Sequence, residues 1–221
     1  MDLIISVGHT LIGKGTGAVG FLNESICTRE IGERVKSMLQ AMGHNVIYLR
    51  VDQSDNDLYD RVSKANASNG TLFIEIHLNA GGGMGVEIFT YGAKEIPEAR
   101  RILNEIVELG FRNRGIKDGK GLYVIRNTNM PSMLIECCFV DTQEDANLYD
   151  ADNIAKAIVT GITGQQIQSN TGNTNTIQTP VSTAKQETIK SPIQKAKEFV
   201  GNRCKELQEK LISLGYNCGG Y

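Results

Sequence analysis

This 221-residue sequence has no apolar run approaching the roughly 20 residues needed to cross a bilayer, and no basic n-region ahead of a long apolar core, so a secretory leader is not expected. Asp2 stands where a leader would carry positive charge, and the mainly apolar run from Leu3 to Val7 is too short. These two absences lead to the expectation of a protein held in the cytoplasm of the producing cell, with no membrane partner. Nor is there an excess of basic charge: 23 Lys and Arg face 25 Asp and Glu, a formal net charge of −2. That excludes a nucleic-acid binder relying on a basic surface. The five cysteines, Cys27, Cys137, Cys138, Cys204 and Cys218, are odd in number and lack framework spacing, which fits free thiols in a reducing compartment. Cys137 and Cys138 are adjacent on an expected strand and point to opposite faces, so a bridge between them would be strained.

What is present is ordinary globular composition, 40% hydrophobic and 22% charged, enough to build a core without disulfides. The charge is unevenly spread. Residues 1–164 hold 16 basic and 21 acidic residues (net −5), and residues 165–221 hold 7 and 4 (net +3). The first of these segments alternates strand and helix signals. Strands are expected at 2–7, 45–51, 71–78, 85–92, 121–127 and 133–140, with helices near 24–42, 55–68 and 95–113 and helical residues continuing to about 162. The pattern predicts an α/β fold: a single, mainly parallel six-stranded sheet flanked by helices over residues 1–164. Residues 165–192 are rich in Gln, Asn, Thr and Ser and predict a flexible linker, because they cannot bury enough apolar surface to offset ordering. Over residues 193–221 helical spacing returns through Val200, Cys204, Leu207, Leu211 and Leu214. This short piece is expected to need a partner.

Parallel α/β sheets present functional groups at the carboxyl ends of their strands. His9 directly follows the first strand, and His77 stands near the end of "TLFIEIHL". Glu24 opens the first helix, whose start must return to the same sheet edge. Glu136 lies within "LIECCFV", where a carboxylate among apolar neighbours is costly unless something meets it. Two imidazoles and one carboxylate form the ligand set of a catalytic zinc site with water in the fourth position, and a second carboxylate is what such a site needs to move protons. His44, in the turn "GHN", reads as a solvated turn residue. A strand-end histidine is also a common hydrogen-bonded turn residue, and a first-turn glutamate simply suits the helix dipole. Spacing therefore leaves the zinc reading and a structural reading both open.

Taken together, "SVGHT", "GFLNES" with Glu24 fifteen residues after His9, "IEIHLNAG" and "SMLIECCFV" resemble the zinc-dependent N-acetylmuramoyl-L-alanine amidases, the catalytic domain shared by phage endolysins and bacterial autolysins. The resemblance runs from residue 2 to about 162. It implies Zn2+ held by His9, Glu24 and His77, with Glu136 as the catalytic acid/base. The implied substrate is bacterial peptidoglycan, cut at the amide between N-acetylmuramic acid and L-alanine, by a lysin reaching the wall after lysis or membrane permeabilisation. Three positions depart from the family's pattern. Glu75 stands where a small residue such as serine is expected, Cys138 at a glycine-like position, and Asp141 where asparagine is common. None removes a ligand.

The tail "CKELQEKLISLGYNCGGY" resembles the opening of a small helical peptidoglycan-binding module and stops at Tyr221. Its helix also suits pairing with a second copy of the chain. Two rival functions are weighed beside the amidase: a non-catalytic wall-binding protein on an amidase-like scaffold, and a zinc carboxypeptidase acting on the stem peptide.

Overall fold

The computed structural model describes residues 1–166. The helical segment expected over 193–221, and the linker expected over 165–192 apart from its first two residues, lie outside the described residues. So do Cys204, Cys218 and the expected pairing through the C-terminal helix.

The elements follow in the order β1 (Asp2–Val7), α1 (Glu24–Ala41), β2 (Asn45–Leu49), α2 (Asp57–Asn66), β3 (Leu72–Asn79), β4 (Val86–Thr90), α3 (Pro97–Glu108), β5 (Asn113–Asp118), α4 (Tyr123–Asn127), β6 (Ser132–Phe139), α5 (Gln143–Leu148) and α6 (Ala151–Thr163). They build one six-stranded sheet in the order β2-β1-β3-β6-β4-β5. The first four strands of that order are mutually parallel, β4 is antiparallel to β6, and β5 is parallel to β4. The sheet is thus α/β and mainly parallel, with two strands reversed at one side. Among the described residues no helix is long and apolar enough to cross a membrane.

Local chemistry explains most boundaries. The side chain of Asn23 caps α1 by accepting from the Ile26 amide at 3.2 Å, and the helix buries Ile31, Val35 and Leu39 along one face. Gly43, at φ +82°, takes the left-handed conformation that ends the last turn.

One strand lies elsewhere than expected. "GLYVIRN" at 121–127 is not a strand: from Tyr123 to its end it forms the short helix α4, and the fifth strand is "NRGIKD" at 113–118. Val124 and Ile125 sit next to each other in sequence and both reach one apolar cluster, as the helical turn of α4 allows. Their β-branched propensity is overridden by that packing. β5 escapes notice because it is an edge strand with Ile116 as its one large apolar residue.

Strand alternation divides the core in two. Leu3 and Ile5 of β1, Ile74, Ile76 and Leu78 of β3, and Met133 and Ile135 of β6 pack with α1, α3 and α6. Ile4, Phe73 and Leu134 face the other way and pack with Val62 and Ala65 of α2 and Val124 and Ile125 of α4. On this second face the period of two places Ser6, Glu75, His77 and Glu136 beyond the apolar cluster, toward the carboxyl ends of β1, β3 and β6. One side of the sheet is therefore apolar where α2 and α4 cover it and polar where the strands end.

Candidate active site

His9 lies two residues beyond the end of β1 in a left-handed backbone conformation, φ +62°, which is strained for a residue with a Cβ. Two buried arginines hold it there. Its carbonyl oxygen accepts from Nη2 of Arg29 at 3.0 Å and from Nη2 of Arg61 at 2.5 Å. The ring is oriented by its Nδ1, 3.0 Å from the Gly15 carbonyl oxygen. A carbonyl only accepts, so Nδ1 carries the proton and Nε2 presents a lone pair. That Nε2 lies 3.1 Å from Oε1 of Glu24.

Glu24, buried at the first position of α1, accepts from the Ala18 amide at 2.9 Å through Oε2 and from the Leu78 amide at 3.1 Å through Oε1. The same Oε1 is 3.1 Å from Nδ1 of His77. Burial opposes the charged carboxylate, but the facing rings of His77 and His9 hold its pKa well below the usual range. For His77, burial opposes the imidazolium, and the carboxylates of Glu24, Glu75 and Glu136 outweigh it, pushing the pKa up to about 10. Three electron-pair donors facing one another at such distances need a cation among them, either a proton or a metal ion.

The three donor atoms lie within 4.8 Å of one another. Two donors bound to one tetrahedral zinc at about 2.0–2.1 Å stand roughly 3.3 Å apart, so the 3.1 Å contacts from Glu24 suit a shared ion. Two glycines make room for the rings. A Cβ on Gly8 would stand 2.3 Å from Cε1 and Nε2 of His77; one on Gly17, at φ +77°, would stand 2.8 Å from Glu24 Oε2 and 3.0 Å from the His9 ring.

Glu136 is the register partner of His77 across the parallel β3–β6 pair, and of Glu87 across the antiparallel β4–β6 pair. Its Oε2 is buried without a hydrogen-bond partner among the described residues. Burial raises its carboxyl to a pKa of about 7, with His77 opposing and the negative charges of Glu24 and Glu87 adding to the rise. Glu87 is itself occupied, accepting from Asn79 Nδ2 at 2.8 Å and from Arg114 Nε at 2.9 Å. Next to the candidate metal centre there is thus one carboxyl poised to take or give a proton near neutral pH. Cys137 points to the opposite face, fully buried in the larger core, and burial raises its thiol pKa. It cannot contribute a ligand.

The glycine-rich segment after β3 arches over the end of β6 to reach β4. Gly83 packs against the Phe139 ring, where a Cβ would come within 2.4 Å. The amides of Gly81 and Gly82 donate to Oδ2 of Asp141 at 2.7 and 2.9 Å, and these bonds lower that carboxyl's pKa. Asp141 therefore needs acceptors only, and an aspartate serves. His44, half-buried in its turn, stands away from this edge, its Nδ1 3.5 Å from the amino terminus.

Arg29, Arg61 and Glu87 escaped the sequence reading. An arginine on a helix normally reads as part of a solvated face, and the one local cue, Asp57 four residues before Arg61, is common on exposed helices.

The sequence matches the N-acetylmuramoyl-L-alanine amidase family over residues 3–164, and the chain belongs to that family. It is 30% identical to the endolysin of Bacillus phage SPP1, over 71% of this chain and 61% of that protein. It is likewise 30% identical to the sporulation-specific N-acetylmuramoyl-L-alanine amidase of Bacillus subtilis, over 73% of this chain and 65% of that protein. Among solved structures, the catalytic domain of the CD27L endolysin targeting Clostridia Difficile superposes with a TM-score of 0.69 at 30% identity, covering 76% of this chain and 99% of that domain. The chain thus spans somewhat less than two thirds of the length of these two curated relatives, while the superposition covers nearly all of the solved catalytic domain.

Proposed function

We propose that this protein hydrolyses the amide between N-acetylmuramic acid and L-alanine in bacterial peptidoglycan, and that it does so as a zinc-dependent cell-wall lysin. The observation that carries the reading is the convergence of His9, Glu24 and His77 on one point, with Glu136 beside them on the neighbouring strand, in a member of the amidase family. His9 through Nε2, His77 through Nδ1 and Glu24 through Oε1 would hold the ion. Bound there, zinc supplies a Lewis acid and brings the pKa of water toward neutrality.

The protein's own groups do the rest. Glu136, with a carboxyl that titrates near neutrality, takes the proton from the attacking water and returns it to the departing alanine nitrogen. Arg29 and Arg61 fix the backbone of His9, and Gly15 fixes its ring, so little reorganisation is needed during turnover.

Digestion of purified peptidoglycan, with and without a chelator, tests the reading. The expected result is new L-alanine amino termini and free lactyl carboxyls, abolished by chelation and restored by zinc. Loss of a terminal stem residue would instead indicate a carboxypeptidase. Wall binding without any cleavage would indicate a binding protein.

A further inference from the structure

Behind the candidate metal centre lies a carboxylate that the proposed reaction does not use. Glu75 sits two residues before His77 on the same face of β3 and has no solvent exposure. Its Oε1 accepts from the Ser6 hydroxyl at 3.1 Å. Its Oε2 has no hydrogen-bond partner among the described residues and lies 3.7 Å from Nε2 of His77, the ring nitrogen that faces away from Glu24. A carboxylate in so dry a place needs a compensating cation. Arg61, also without exposure, supplies it with Nε 3.6 Å from Glu75 Oε1.

The same guanidinium is tied to the other imidazole. Arg61 donates from Nε to the Val7 carbonyl at 3.2 Å and from Nη2 to the His9 carbonyl at 2.5 Å, and its Nη1 pairs with Asp57. One buried ion pair therefore touches the ring of His77 through Glu75 and the strained backbone of His9 through Arg61.

We infer that Glu75 is a positioning residue for the metal centre: it accepts the Nε2 proton of His77, so that Nδ1 presents its lone pair to the ion, while Arg61 anchors both histidines. The inference rests on the reading of His9, Glu24 and His77 as ligands. A histidine ligand is normally oriented by an acceptor on its second nitrogen, and a carboxylate there increases the ring's basicity toward the metal. His9 uses a backbone carbonyl, that of Gly15, for this purpose. Among the described residues no such carbonyl bonds Nε2 of His77, and Glu75 fills the role. This accounts for a glutamate at a position where the family's pattern leads one to expect a small neutral residue. The charge could enter the dry interior because Arg61 neutralises it. As the ion binds, the 3.7 Å separation shortens to a hydrogen bond.

The test is zinc affinity, measured on the full chain by competition with a chromogenic chelator, for wild type and Glu75→Gln. The substitution keeps the size and an acceptor for Ser6 but removes the charge facing His77. The expected result is zinc binding about 10- to 100-fold weaker, with a changed visible spectrum for the cobalt-substituted protein. In a zinc-loaded wild-type crystal the Glu75–His77 contact is expected at about 3.2 Å or less. Affinity within twofold of wild type would overturn the inference, and so would a lower melting temperature of the metal-free variant with unchanged affinity. If Glu75→Gln does not fold, Glu75→Ser, which installs the small neutral residue of the family's pattern and leaves Arg61 on the Val7 and His9 carbonyls, permits the same comparison. Failure of the wild type to take up zinc would overturn the ligand reading together with this inference. Normal wild-type uptake with an unaffected variant would overturn this inference alone.

Discussion

His77 and Glu136 are register partners on adjacent parallel strands, so the ring and the carboxyl stand side by side on one face of the sheet. Neither could be displaced without moving a strand that is buried on both sides. This relationship sets the division of labour, with the ring facing Glu24 and the carboxyl left free of any hydrogen bond at Oε2.

Replacing Glu136 with glutamine should separate metal binding from turnover. Glu136→Gln is expected to retain about one zinc per chain and to lose at least about 100-fold in the rate of wall cleavage, the usual scale for removing a positioned acid/base. Zinc content by mass spectrometry and release of amino groups from purified walls measure the two. Unchanged cleavage would remove Glu136 from the mechanism.

The metal-free protein should become less stable as pH rises between about 4.5 and 7. Burial raises the folded-state pKa of Glu136 from 4.5 to about 7. Below the lower value the carboxyl is protonated in both states. Between the two values the unfolded chain loses this proton and the folded chain keeps it, so the stabilisation fades as pH climbs through the window. The difference is on the order of 1–3 kcal/mol, and Glu136→Gln should flatten it. Denaturant melts of the apo protein at pH 5 and pH 8 provide the check.

Zinc uptake should release protons at pH 8. With its pKa up at about 10, the His77 ring holds a proton at that pH, and an incoming cation must expel it. Apparent affinity is then expected to rise by about tenfold per pH unit below 10. Calorimetric titrations in two buffers of different ionisation enthalpy count the protons; zero release would show that His77 is neutral before the ion arrives.

Adding one methyl group at Gly8 should damage the centre more than the fold. A Cβ there would meet the His77 ring at 2.3 Å and turn it away from Glu24. Gly8→Ala is expected to weaken zinc binding by at least about tenfold while costing about 1–3 kcal/mol of stability, as overpacking generally does. Full zinc affinity in this variant would mean that the ring has room the structure does not show.

The elements legible in the sequence were those with a clear period. Ile31, Val35 and Leu39 mark the buried side of α1 at helical spacing, and the short, mainly apolar runs of β1, β3 and β6 suit buried strands. β5 and α4 differ from expectation for separate physical reasons: an edge strand has little apolar surface to declare itself, and two adjacent β-branched residues look extended until a cluster such as Phe73 and Leu134 draws both to one side. His9, His77 and Glu136 were visible as polar residues at strand ends or in strands that should be apolar, and Glu24 as the acidic residue opening the first helix. Arg29 and Arg61 were not, because nothing local distinguishes an arginine that turns inward to two carbonyls from one that reaches into water.

By itself the sequence determined which residues alternate along each strand, hence that Glu75, His77 and Glu136 would face away from the larger core, since the period of two is a property of the backbone. Only the tertiary structure decided that the strands bearing His77 and Glu136 are neighbours, that α1 returns Glu24 to within 3.1 Å of both imidazoles, and that Arg61 sits under the pair. Strand order and helix return arise from contacts between segments far apart in the chain, and local propensity carries no record of them.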